Sequence, residues 1–161
     1  MTMGIAHQEE GISVLDGVWE VRSPFDPQQV AEEFSTRLKQ YGITRAYGDR
    51  YAGIWVADAF AMHGITYEPS ELDKSQLYES LLPLLNSRTC ALVDSERLRR
   101  QLLSLERRTG RGRDSIDHPK GQHDDLANAC AGALVLCKHE PTAAGIPGFN
   151  RKLELPAMGV A

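Results

Sequence analysis

The chain lacks any apolar run of membrane-spanning length, and its N-terminus lacks a basic region followed by an apolar stretch. Nothing in the pattern therefore marks a membrane span or a cleaved leader, and a cytoplasmic protein is expected. Cysteine is scarce: Cys90, Cys130 and Cys137 are odd in number and fit no zinc-ligand spacing, which predicts buried reduced thiols rather than a disulfide framework or a zinc site. Cys130 and Cys137 lie seven residues apart, on one helical face, where they act as small hydrophobes. No glycine-rich phosphate loop of the G-x-x-x-x-G-K-S/T type is present, which excludes a nucleotide motor of that class in this chain. Internal repeats and low-complexity blocks are also missing. Positive charge is in deficit, with a formal net charge of −4, which argues against indiscriminate nucleic-acid binding.

What remains is the composition of one ordinary globular domain. The 161 residues are 42% apolar and 25% charged, enough to bury a sizeable core. The charge is unevenly spread. Arg97, Arg99, Arg100, Arg107, Arg108, Arg111 and Arg113 fall in a stretch that holds a single acid, Glu106. Such a band suits a phosphate backbone or, equally, a solvated helix face and loop.

Periodicity outlines the elements. Residues 3–8 and 12–22 read as extended, turning at Glu9-Glu10-Gly11, with Asp16-Gly17 as a second turn or a bulge. Asp26-Pro27 starts a helix carrying Val30, Ala31, Phe34, Leu38 and Tyr41, and Gly42 ends it. A short strand at 43–47 closes on Gly48-Asp49. A helix over 52–63 stops at Gly64, and 65–68 is extended. Ser70 with Asp73 resembles a capping box for a helix through Leu77, Leu81 and Leu85, with Pro83 kinking it or lying near its end. Residues 90–93 form a short strand, and Asp94 or Ser95 caps a helix bearing Leu98, Leu102 and Leu105. Thr109 to Gly112 is a basic turn, in a hairpin if Ser115-Ile116 returns beside it. The last helix runs over 124–138, and a loose tail follows from 141. A hairpin followed by alternating helices and short strands predicts an α/β fold, a mixed sheet flanked by helices, occupying residues 1–140.

The chemistry-bearing residues are acids at element ends. Asp49 ends a strand, where a side chain can reach a crevice, although a turn aspartate bonded locally or to Arg50 fits the same spacing. Asp124 and Asp125 open the last helix. Capping and the helix dipole account for one acid there, but two acids preceded by His123 exceed what a cap needs. The small residues that follow, Ala127, Ala129, Ala131 and Gly132, allow that helix to sit close to a sheet. Carboxylates from separate elements are what a two-metal nuclease requires, its ions held about 3.5–4 Å apart.

Four segments carry a family resemblance: GDRYAG at 48–53, YEPSELDKSQLYESLLPLLNS at 67–87, LERRTGRGRDSIDHP at 105–119 and HDDLANACAGALVL at 123–136. Together and in this order, across roughly residues 3 to 137, they resemble the C-terminal nuclease domain of the tailed-phage terminase large subunit. That resemblance implies a ribonuclease H-like fold and divalent-metal DNA cleavage with Mg²⁺ or Mn²⁺. By it, Asp49 matches the second catalytic acid and Asp124 or Asp125 the third, with Asp125 favoured as ligand, Asp124 assisting, and His123 orienting a water or a carboxylate. Arg107, Arg108, Arg111 and Arg113, with Arg50 beside the second acid, become the expected DNA contacts. The implied partners are double-stranded DNA and the packaging proteins: the ATPase portion, the small terminase and the portal. The family's first catalytic aspartate has no counterpart, since no acid precedes Glu9. The first strand is accordingly expected to be shortened and the domain N-terminally incomplete. Weak or absent activity and marginal stability or self-association follow from that expectation. The alternatives are a non-catalytic DNA- or partner-binding remnant and another ribonuclease H-like enzyme of the resolvase or transposase kind.

Overall fold

The structure is a computed structural model that describes residues 1–49, 54–110 and 114–138. It begins with a hairpin. Strand β1 (Thr2–Glu9) pairs antiparallel with β2 (Ile12–Glu20), and Glu9 faces Ile12 across a two-residue turn. Both turn residues, Glu10 and Gly11, have positive φ, at 50° and 84°, as the right-handed twist of a tight hairpin demands. The register steps from Ile5↔Gly17 to Ala6↔Leu15, so Asp16 is the extra residue of a bulge, the second of the two forms expected there. The bulge reverses the facing of β2. Leu15 before it and Val18 after it both meet one core, although their numbers differ in parity, while Trp19 and Val21 meet the other.

Helix α1 (Pro27–Gln40) is capped by Asp26, whose Oδ1 accepts from the Gln28 N–H at 2.9 Å. Its buried stripe is Val30, Ala31, Phe34, Ser35 and Leu38, and Gly42 follows its end with φ 71°. Strand β3 (Arg45–Gly48), helix α2 (Ile54–Met62) and β4 (Thr66–Pro69) follow, and β3 and β4 pair in parallel. Helix α3 (Lys74–Asn86) starts at a capping box made by Asp73 and Gln76, not by Ser70 and Asp73. The Ser70 hydroxyl instead donates to the Leu72 carbonyl, because the chain is still a bend at that point. Pro83 falls in the last turn of α3. Strand β5 (Cys90–Ala91) is shorter than expected and pairs in parallel with β2. Ser95, of the two candidates, caps α4 (Glu96–Leu103). The hairpin of β6 (Glu106–Arg108) and β7 (Ser115–Asp117) places Arg107 opposite Ile116. Helix α5 (Asp125–Leu136) closes the described fold.

The strands form a mixed three-stranded sheet in the order β1-β2-β5, a parallel β3-β4 pair and the β6-β7 hairpin. Two cores lie on opposite faces of the first sheet. One joins Leu15 to Leu77, Tyr78 and Leu81 of α3, Leu98 of α4, and Leu126, Cys130, Ala131 and Leu134 of α5. The other joins Ile5 to Val30, Phe34 and Leu38 of α1, and to Val56, Phe60 and Ile65 around α2. Among the described residues no helix is long and apolar enough to cross a membrane. The three cysteines are free thiols, but only Cys130 is buried; Cys90 and Cys137 are half-buried, because Cys137 caps the C-terminal end of α5 rather than lying within its packed face. Burial pushes the Cys130 thiol up to about 12.

Contact between α5 and the hairpin rests on the absence of a side chain at Gly4. A β-carbon there would lie 2.6 Å from the Ala129 carbonyl oxygen and 3.1 Å from Cβ of Ala133. Gly4→Ala should therefore push α5 off the sheet and lower the unfolding free energy by about 1–3 kcal/mol, as overpacking does. Denaturant unfolding reads this, and a variant as stable as the parent would refute the close approach. A second prediction concerns acid. Glu20 at the end of β2 accepts from Arg97 of α4 at 2.8 Å and from Arg22 at 3.0 Å. Burial raises its pKa, but the two guanidinium groups outweigh that and hold it below the usual carboxylate range. Its contribution is present above the ordinary glutamate pKa and is lost as pH falls through the lowered one. Glu20→Gln should therefore shrink the stability difference between pH 7 and pH 3, measured by urea unfolding at both.

Candidate metal centre

Asp124 directly precedes α5 and is the N-cap residue, yet its side chain makes no capping hydrogen bond. The missing cap comes from another helix: Oε1 of buried Gln101, on α4, accepts from the Ala127 N–H at 3.0 Å. That frees the Asp124 carboxylate to face inward, where it is 6% exposed. A buried carboxylate needs partners, and Tyr78 and Lys74 supply them. Its Oδ2 accepts from the Tyr78 hydroxyl at 2.9 Å, and Lys74 Nζ lies 2.8 Å from Oδ2 and 3.1 Å from Oδ1. Burial first, then the Asp124 charge, raises the Tyr78 pKa, so the phenol stays a donor.

Lys74 also donates to Asp117 Oδ1 at 2.5 Å. Asp117 ends β7, and Ser75 at the start of α3 positions that strand. The Ser75 hydroxyl accepts from the Ile116 N–H at 3.0 Å and donates to the Ile116 carbonyl at 3.4 Å. The Lys74 ammonium holds the Asp117 carboxyl below the usual carboxylate range, against the opposing effect of burial. Lys74 is itself raised, since the two carboxylates outweigh the burial that lowers it.

His118 follows Asp117. Its Nδ1 lies 2.9 Å from the Pro119 carbonyl, an acceptor only, so that nitrogen carries the proton and the free lone pair of the neutral ring is on Nε2. Nε2 stands 3.7 Å from Asp117 Oδ1 and 4.0 Å from Asp124 Oδ1. Donor atoms of Asp117, His118 and Asp124 all lie within 4.8 Å of one another. Two carboxylates and an imidazole oriented by a backbone carbonyl are a donor set that suits a borderline or hard divalent cation.

Of the residues singled out in the sequence, Asp124 joins this cluster. Asp125 does not; it is exposed on the first turn of α5. His123 is exposed, its ring 6.3 Å from that of His118, and it lines a shallow cleft of about 220 Å³ with Arg97, Arg100, Gln101, Ser104 and Gln122. Asp49 is exposed just beyond β3, its carbonyl accepting from the Tyr67 hydroxyl at 3.3 Å, and it is not among the clustered donors. Arg50, Arg111 and Arg113 lie outside the described residues. The rest of the basic band is not a row of free cations. Arg107 pairs with Asp114 at 2.6 Å, Arg97 with Glu20 at 2.8 Å, and Arg99 with Glu96 at 2.8 Å. Arg108 donates to the His118 carbonyl at 2.8 Å and lies 3.9 Å from Asp117.

Sequence reading missed Lys74, Asp117 and His118. Each lies inside a segment quoted for the family resemblance, and the Asp-His pair ahead of Pro119, six residues before the His-Asp-Asp run, was the available signal. The borrowed cap is open to test. Gln101→Leu leaves the buried Ala127 N–H without an acceptor and should cost about 1–3 kcal/mol of stability. An unchanged denaturation midpoint would mean that Asp124 or water replaces the cap at no cost.

No family model matches the sequence, and no curated protein does. Solved structures match the fold. The crystal structure of the large terminase nuclease from thermophilic phage G20c superposes with a TM-score of 0.64 at 17% identity, covering 86% of this chain and 83% of that one. The same nuclease with bound cobalt and with bound magnesium gives a TM-score of 0.64 at 18% identity, covering 83% of this chain and 80% of the other. The chain therefore has the fold of a large terminase nuclease domain, a ribonuclease H-like mixed sheet flanked by helices.

Proposed function

We propose that this chain is a metal-dependent DNA endonuclease domain of the phage-packaging kind, and that it cuts weakly. The observation that carries the reading is the convergence of Asp117, His118 and Asp124 at the end of β7 and the start of α5, in a fold shared with a nuclease crystallised with cobalt and with magnesium. Asp117 and Asp124 would hold a divalent ion, Mg²⁺ or Mn²⁺, with His118 Nε2 as the third donor. Such an ion supplies Lewis acidity and a nucleophilic water for phosphodiester hydrolysis. Tyr78 fixes the Asp124 carboxylate, and Ser75 fixes the strand that bears Asp117.

Weak activity follows from the small number of converging acids. The cluster draws none from β1 and does not include Asp49, so one ion is better provided for than two. Asp49 remains the proposed second acid, and Asp125 a candidate ligand on substrate binding. Double-stranded DNA is the proposed substrate, approached through the cleft beside His123 and the arginines of α4 and the β6-β7 hairpin. The packaging ATPase, small terminase and portal are the proposed partners, in the cytoplasm of a bacterial host. The incomplete acid set also favours a second reading, a non-cutting module that binds DNA or packaging proteins.

Incubation of the chain with supercoiled plasmid and Mn²⁺ or Mg²⁺ decides between them. Slow nicking that stops on chelation is expected, and Asp124→Asn should reduce it by at least about 100-fold, beyond the loss typical of a residue that only supports a ligand. A folded protein that neither nicks DNA nor binds Mn²⁺ would sink the nuclease reading. Salt-dependent retardation of DNA by that same protein would establish the binding module.

A further inference from the structure

Lys74 occupies an unusual place. It is the first residue of α3, where the helix dipole disfavours a cation, and it stands there because two carboxylates outweigh the dipole. Its ammonium lies 2.5 Å from Asp117 and 2.8 Å from Asp124, between two of the three donors that approach one another. An ammonium and a divalent ion cannot share that space. With Lys74 in place the carboxylate pair carries one net negative charge, which attracts a divalent ion far less than two do.

We infer that Lys74 is a resident counter-cation that blocks the metal position, and that a divalent ion enters by displacing its ammonium. The side chain has somewhere to go. It is 34% exposed, and a cleft of about 310 Å³ beside it is lined by Asp73, Ser75, Asp114 and Ser115. In that cleft Asp114 offers an alternative carboxylate, now paired with Arg107. Lys74 thus keeps two crowded acids folded together without an ion and sets a threshold concentration below which the centre stays empty. The inference rests on the reading of Asp117, His118 and Asp124 as ligands.

The test is Mn²⁺ affinity of the full chain by titration calorimetry, with thermal melting in the presence and absence of Mn²⁺. Lys74→Met keeps the aliphatic stem and removes the charge. It should bind Mn²⁺ about ten-fold more tightly than the parent or better, roughly 1.4 kcal/mol, and Mn²⁺ should raise its melting temperature by more than the parent's. Arg108→Met removes an equal charge 3.9 Å from Asp117 but not between the acids, and should change affinity much less. The inference is overturned if Lys74→Met binds no more tightly than the parent, or if Arg108→Met matches it. Should Lys74→Met fail to fold, Lys74→Gln carries the same comparison. Asp124→Asn in the Lys74→Met background separates the two claims. Binding that survives it refutes the ligand assignment, whereas binding that it abolishes, in a variant no tighter than the parent, refutes only the role of Lys74.

Discussion

The approach of α5 to the β1-β2 hairpin is the constraint on which the rest of the structure depends. Ala127, Cys130, Ala131 and Leu134 have no exposed surface, and Gly4 leaves no room for even a methyl group beneath Ala129. Small residues along one face let the helix axis come close to the sheet, and close packing carries the start of the helix into the interior. Asp124 is therefore buried by the packing of the residues that follow it. A carboxylate in that position must be matched by charge or hydrogen bonds, and Tyr78 and Lys74 of α3 supply both. The polar cluster is in this sense a consequence of the apolar one.

Division of labour between α4 and α5 makes the cluster chemically useful. An aspartate before a helix ordinarily spends its carboxylate on its own backbone. Here Gln101 accepts the hydrogen bond from the first turn of α5, so Asp124 can turn toward Asp117 and His118. His118 is oriented in the same economical way, its Nδ1 engaged by the neighbouring carbonyl of Pro119. Strand β7 is short, but Ser75 ties it to the start of α3, so Asp117 and Lys74 are placed by one joint.

Charge distribution tells a related story. The arginine-rich stretch looks like a cationic band in sequence, yet acids from other elements converge on it: Glu20 from β2, Asp114 from the hairpin loop, and Asp117 from β7. Arg97 therefore ties α4 to β2, while Arg107 and Arg108 brace the β6-β7 hairpin itself. Any nucleic acid that meets this face must compete with those ion pairs, which makes its phosphate contacts fewer and weaker than the arginine count suggests.

Local chemistry was legible along the chain wherever neighbours in sequence decide the outcome. Asp26-Pro27, Gly42 and Gly64 mark helix ends because caps and positive φ values are properties of a few adjacent residues. The hairpin at Glu10-Gly11 and the helical stripe of α1 follow for the same reason. The mixed α/β architecture was readable from the alternation of such elements. The centre was readable only in part. Asp124 and Asp125 are adjacent and chemically identical in sequence, and only the rotation of α5 against the sheet buries the first and exposes the second. Lys74 meets Asp117 across 43 residues and Asp124 across 50, a convergence that depends on how α3, β7 and α5 stack. The reversal of facing at Asp16 likewise became visible only through the register of β1 against β2. The sequence by itself determined which residues could start, stop and line each element, because those choices are made by local sterics and hydrogen bonding. Only the tertiary structure decided which acids meet, because that depends on the burial of one helix against a sheet far away in the chain.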